Sequence, residues 1–221
     1  MDQSSFNLRF TATLFIMAAL LITGGYLMQP GAIQEDINLN SLAIAHENQT
    51  LFIWSFRVLV FGNFMAIMAL VSLGSLMRMS SIHPIIQAGI FVCCLALLVG
   101  SISEAYFMDM GAWGGWKVTT LAQALQESFV NSMEVTYQWV SCFRRMSYMF
   151  FCLGLIPIGL AITRDASFPK ALGYFAMAFG AIGIAVMLID DSETSFYPIV
   201  RYVYCLFFVV LAGILWRKDS F

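Results

Sequence analysis

Six apolar runs, at about 10–28, 51–77, 84–107, 140–163, 171–189 and 198–216, constrain this chain more than any other feature. Each is long enough to cross a hydrocarbon core of roughly 30 Å as a helix, which takes about 20 residues. Water is absent from that core, so a spanning run must satisfy its backbone N–H and C=O groups within itself, as an α-helix does. Composition agrees: 60% of the 221 residues are hydrophobic, 11% are charged, and the mean hydropathy is +0.81. The expected fold is all-α: a polytopic transmembrane helix bundle in one domain over 1–221, with six spanning helices.

Glycine and proline place the breaks between runs. Pro30-Gly31 ends the first helix and opens a polar loop carrying Glu35, Asp36 and Glu47. The first run reads as a retained helix, because the small-x-small site Ala43-Ile44-Ala45 lies too far downstream to release it as a leader. Pro84 suits the first turn of the third helix. Gly111, Gly114 and Gly115, interleaved with Trp113, Trp116 and Lys117, predict a loop at the membrane boundary, where tryptophan is favoured. Gly154, Pro157 and Gly159 predict a kink that frees the Leu153 carbonyl. The pairs Ala176/Gly180 and Ala181/Ala185 permit close helix approach and predict that the fifth span sits inside the bundle.

Between the third and fourth runs the pattern changes. Thr120, Gln123, Glu127, Asn131, Glu134, Gln138, Ser141 and Arg145 recur every three or four residues, one face of a helix. A single helix over 120–164 would be about 65 Å long, roughly twice a hydrocarbon core. An amphipathic helix at about 118–139, lying in the outer interface before the fourth span, is therefore expected. The alternative, a seventh span over 118–140, forces Glu127 and Glu134 into the membrane.

With six spans, Arg9, Arg78, Arg164, Lys170, Arg217 and Lys218 fall on one side and the acidic loops on the other. By the positive-inside rule both termini are cytoplasmic, in a multi-pass protein of the plasma membrane.

The segment 154–164, Gly-Leu-Ile-Pro-Ile-Gly-Leu-Ala-Ile-Thr-Arg, is followed by a short turn, Phe-Pro-Lys-Ala-Leu-Gly-Tyr over 168–174, and an apolar helix ending at Asp190. This hairpin resembles the last hairpins of a bacterial family of six-helix integral membrane proteins of unknown function. The resemblance covers about a fifth of the chain strongly. It implies six helices and a bacterial inner membrane, and brings no catalytic or binding residue with it.

Charge and motif exclude several classes. With 11 Lys+Arg against 13 Asp+Glu and no basic face, nucleic acid is not an expected partner. Cys93, Cys94, Cys142, Cys152 and Cys205 lack metal-ligand spacing and read as small core residues. His46 and His83 stand alone, so neither a metal site nor a cofactor is expected. No Ser/His/Asp or Cys/His set is recognisable.

Chemistry is left to the ionisable residues near the outer helix ends: Arg57, Glu104, Glu134, Arg145, Asp190 and Arg201, with Arg144 beside them. Charges in hydrocarbon persist when paired or wet, so these predict a polar cluster or ligand cavity, with pairs such as Arg57–Glu104 and Arg201–Asp190. One reading is a structural belt of ion pairs; the other is a binding cavity. Three functional classes follow. A non-catalytic binding, accessory or assembly protein, partnered by membrane lipids, other membrane subunits or itself, is preferred. A small transporter or channel using the charged cluster is the runner-up. An intramembrane enzyme would have Glu104 and Glu134 as its acid/base pair.

Overall fold

The computed structural model describes residues 3–30, 37–77, 83–189 and 196–218. They form seven helices: α1 (Gln3–Leu27), α2 (Leu39–Glu47), α3 (Gln49–Leu76), α4 (His83–Thr120), α5 (Gln123–Arg164), α6 (Lys170–Ile189) and α7 (Phe196–Lys218). Among the described residues all but α2 are long and apolar enough to cross a membrane, six in number. The chain is an all-α bundle of the expected class.

Neighbouring spans run antiparallel, and side-chain contacts fix the register. Thr11 of α1 meets Ser72 of α3 at one end of that pair, and at the other a Cβ on Gly25 would collide with Leu59 and the Ser55 carbonyl. Asn63 of α3 donates to Ser101 of α4 at 3.2 Å. Ser103 of α4 donates to the Val140 carbonyl of α5 at 3.0 Å, and Phe107 meets Tyr137 at 5.8 Å. α7 closes the assembly against α1 through Phe15 and Phe208, 5.2 Å between ring centroids, and touches α5 through Phe151 and Tyr204 at 4.8 Å.

The structure departs from the sequence expectations in four places. First, the glycine segment 111–117 is not a loop but the last part of α4. Its glycines face packed neighbours: a Cβ at Gly111 would strike the Phe52 ring, and one at Gly115 would lie 2.6 Å from the Leu42 carbonyl oxygen. They let α2 and α3 approach α4 at backbone distance, which offsets the helix-interior cost of glycine, about 1 kcal/mol each.

Second, the segment 118–139 is not a separate interfacial helix: 118–120 end α4, and the polar stripe from Gln123 onward belongs to α5, which continues unbroken through Pro157 to Arg164. At about 1.5 Å per residue α4 and α5 are roughly 57 and 63 Å long, too long to lie within a bilayer. Their apolar halves pair inside the bundle, with Gly89 against Gly154 and Ile158. The other halves pair with each other, Trp113 against Phe129 at 5.5 Å. The hairpin thus extends past the exposed aromatics Tyr106 and Trp139 by about 20 Å, and forms a lobe.

The short helix α2 covers this lobe. Asn38 and Ser41 form a reciprocal capping box, each side chain 2.9 Å from the other's backbone nitrogen, which satisfies the first free donors of α2. Leu42 and Ala45 are fully buried beneath it.

Third, α6 is peripheral. Only 22% of its apolar window is buried, against 56% for α5. Its contact face is Gly173, Ala176, Gly180 and Gly183, while Ala181 and Ala185 face outward. Small residues there permit backbone contact with α5: a Cβ at Gly159 would lie 2.5 Å from the Gly173 carbonyl oxygen. Small size signals a close interface without saying how many a helix has.

Fourth, Cys142 is exposed on α5 and Cys94 half-buried, whereas Cys93, Cys152 and Cys205 are core residues as expected.

Candidate functional site: a buried ion pair at the lobe end of the bundle

Five of the spans bring polar side chains to one level where the lobe begins. On α4, Leu97, Gly100, Glu104 and Phe107 recur at three- and four-residue spacing, so the carboxylate shares the inward stripe. On α5, Arg144, Ser147, Tyr148 and Phe151 do the same, as do Arg201, Tyr204 and Phe208 on α7. Tyr26 arrives from the last turn of α1.

Glu104 is 5% exposed and Arg201 8%, and they are joined by an ion pair, Arg201 Nη2 donating to Glu104 Oε1 at 2.8 Å. The Tyr26 hydroxyl donates to the same oxygen at 3.1 Å. The Arg201 guanidinium lies over the Tyr26 ring, 3.8 Å from Cζ to the centroid, and 5.1 Å from that of Tyr148. Quadrupole attraction from two rings adds to the ion pair where water is scarce. Arg144 lies over the Phe107 ring at 4.4 Å and faces the same space. Between these groups is a cavity of about 20 Å³, lined also by Asn63, Gly100 and Ser147.

Of the six residues singled out from the sequence, the structure brings Glu104 and Arg201 together. Arg57 stands at the same level but on the outward face of α3, exposed and over the Trp54 ring at 5.3 Å, so it is not the partner of Glu104. Glu134 is exposed on the lobe and accepts from Gln138 Nε2 at 2.7 Å, so the two carboxylates do not form an acid/base pair. Arg145 is half-buried next to Arg144. Asp190, and with it the Arg201–Asp190 pairing, lies outside the described residues.

Tyr26, Asn63, Ser147, Tyr148 and Tyr204 also face the cavity. Their sequence signal is the spacing itself: polar groups three or four positions from a buried charge within an apolar run. Among the described residues no group of three or more His, Cys, Asp or Glu is placed to hold a metal ion. The arrangement can neutralise and orient charge inside a bundle.

No family model, curated protein or solved structure matches the chain. Six long apolar helices, with an ion pair buried among them, define a multi-pass helical membrane protein.

Proposed function

We propose that this chain is a non-catalytic integral membrane protein, a binding or assembly subunit that works through the lobe formed by α2, the end of α4 and the start of α5. The observation that carries this reading is the lobe's surface. Trp113, Trp116, Leu125 and Val135 are each 49% exposed or more, on a hairpin that reaches beyond the level of Tyr106 and Trp139. Exposed tryptophans interleaved with Gln123, Glu127 and Asn131 match the mix of aromatic anchors and polar rim found in interfaces between proteins. The distribution of Arg9, Arg164, Lys170 and Arg217 supports a topology with both termini in the cytoplasm and the lobe outside. The resemblance of 153–190 to bacterial six-helix proteins supports a bacterial inner membrane as the setting. Lipids, other membrane subunits or a second copy are its partners.

A small transporter or channel is the second reading, favoured by the charged cavity between Glu104, Arg144 and Arg201. A volume of about 20 Å³ admits an ion or a water and no larger substrate. Photo-cross-linking residues introduced at Trp116 and Val135, and at the lipid-facing Phe91 as control, separate the readings in native membranes. Discrete protein adducts from the lobe positions alone are expected. Lipid adducts at all three positions, together with ion flux in vesicles of the purified protein, would overturn the assembly role.

A further inference from the structure

The exposed side of the first half of α5 carries two stripes of different chemistry. One is the polar set Gln123, Glu127, Asn131, Glu134 and Gln138. The other is Leu125, Ser128, Ser132, Val135, Trp139 and Cys142, all exposed, on the face turned away from α4. Its spacing alternates between three and four residues, the repeat by which two helices pack side by side with each side chain entering a gap on the partner. Leu125, Val135 and Trp139 are more than half exposed. Phe129 and Phe143 border the stripe, Phe129 against Trp113 of α4 at 5.5 Å and Phe143 against Trp139 at 6.4 Å, so the apolar surface is wider than one row. It starts in the lobe and runs without interruption past Trp139 to the outward-facing Met146. Lipid can cover its lower end and leaves the upper end to water or to a protein.

Three features select a second copy of this chain as that protein. The first is reach: a helix covering the stripe from Leu125 to Met146 must itself pass unbroken out of the bilayer for about 30 Å, and α5 does so. The second is charge. Two copies in one membrane share their topology, so a two-fold axis along the membrane normal sets each residue of the stripe near its own counterpart. A charge there would meet its like. Glu127 and Glu134 both stand on the other stripe, and from 124 to 143 no position that would enter or flank the seam is charged. The third is size and hydrogen bonding: Ser128 and Ser132 allow close backbone approach, and a hydroxyl, both donor and acceptor, can pair with its own copy as an ammonium or a carboxylate cannot.

We propose that the lobe's partner is a second copy of this chain, with the two α5 helices pairing in parallel along the stripe from Leu125 to Cys142. This rests on the reading of the lobe as an assembly surface and names what it assembles with.

The test uses the full-length protein in native membranes, with copper phenanthroline as the oxidant and non-reducing gels as the readout. Cys142 lies on the stripe, so the wild type should give a reducible dimer of twice 24.7 kDa, which Cys142→Ser should abolish. In the Cys142→Ser background, Ser128→Cys or Val135→Cys should restore the dimer, and Glu134→Cys, on the other stripe, should restore several-fold less. Val135→Glu sets like charges at the axis and should cut linking through the native Cys142 several-fold. Equal linking by Glu134→Cys and Val135→Cys would show random collision and overturn the pairing. No self-linking by Val135→Cys, with adducts to a different protein from a photo-cross-linker at Val135, would overturn the pairing and leave the assembly role standing; the loss of both signals would overturn both. If Val135→Glu fails to accumulate, the comparison of cysteine positions decides.

Discussion

Separating Glu104 from Arg201 should destabilise the bundle more than any other single charge removal described here. Their polar atoms are 2.8 Å apart and both side chains are at least nine-tenths buried. With charge centres roughly 4 Å apart and an effective dielectric near 20, the attraction is about 4 kcal/mol. Much of this only offsets desolvation, so the pair's net worth against apolar packing is smaller. Removing one member differs, because it leaves the other buried and uncompensated, and such losses cost about 3–5 kcal/mol. Glu104→Leu and Arg201→Met should each lower the melting temperature of the detergent-solubilised protein by on the order of 10 °C. The double variant should regain much of that, less about 1–3 kcal/mol for the Tyr26 hydroxyl that has lost its acceptor. Differential scanning fluorimetry on the four proteins completes the cycle. Single variants within about 1 kcal/mol of wild type, the range of an exposed pair, would show that water reaches the site and that the burial argument is wrong.

Arg57→Ala, removing an exposed arginine stacked on Trp54, should change stability by about 1 kcal/mol or less in the same assay. Gly173→Val would press a side chain into the Gly159 carbonyl oxygen, so proteolysis should show α6 detaching from α5, whereas Gly213→Ala, with nothing within 4 Å, should be silent. Gly115→Val should lift α2 from the lobe, raising hydrogen exchange over 39–47 while leaving α6 and α7 protected. Cysteines introduced at Asn48 and Ser167 in a background without native cysteines should label from opposite sides of the membrane; labelling from one side would contradict the proposed topology.

The depth at which charges gather was legible before the structure, because Arg57, Glu104, Arg144 and Arg201 all stand near the same ends of their apolar runs. Which of them point inward was not. Helices α3 and α4 are apolar nearly all round, so no polar stripe gives their rotation. Packing supplies it: Phe52, Phe56, Leu59 and Asn63 turn toward α1 and α4, which leaves Arg57 outside, and Glu104 inside facing α7. Tyr26 and Ser147 were unremarkable as single letters, since their role comes from what stands opposite.

By itself the sequence determined the class of fold, the number of long apolar helices and the amphipathic character of 118–139. Those properties follow from local composition: a run either satisfies its own backbone in hydrocarbon or it does not, and a polar period of three or four residues marks one helical face wherever the helix lies. Tertiary structure decided the rest. Gly111, Gly114 and Gly115 read equally as a turn or as a close-packing surface, and only α2 and α3 against them make the second true. The polar stripe fits a helix lying flat in the interface as well as one rising out of it, and only pairing with the second half of α4 raises it into a lobe. Ion-pair partners depend on helix rotation, which is set by contacts between segments far apart in the chain, and so Arg201 of the last helix rather than Arg57 meets Glu104.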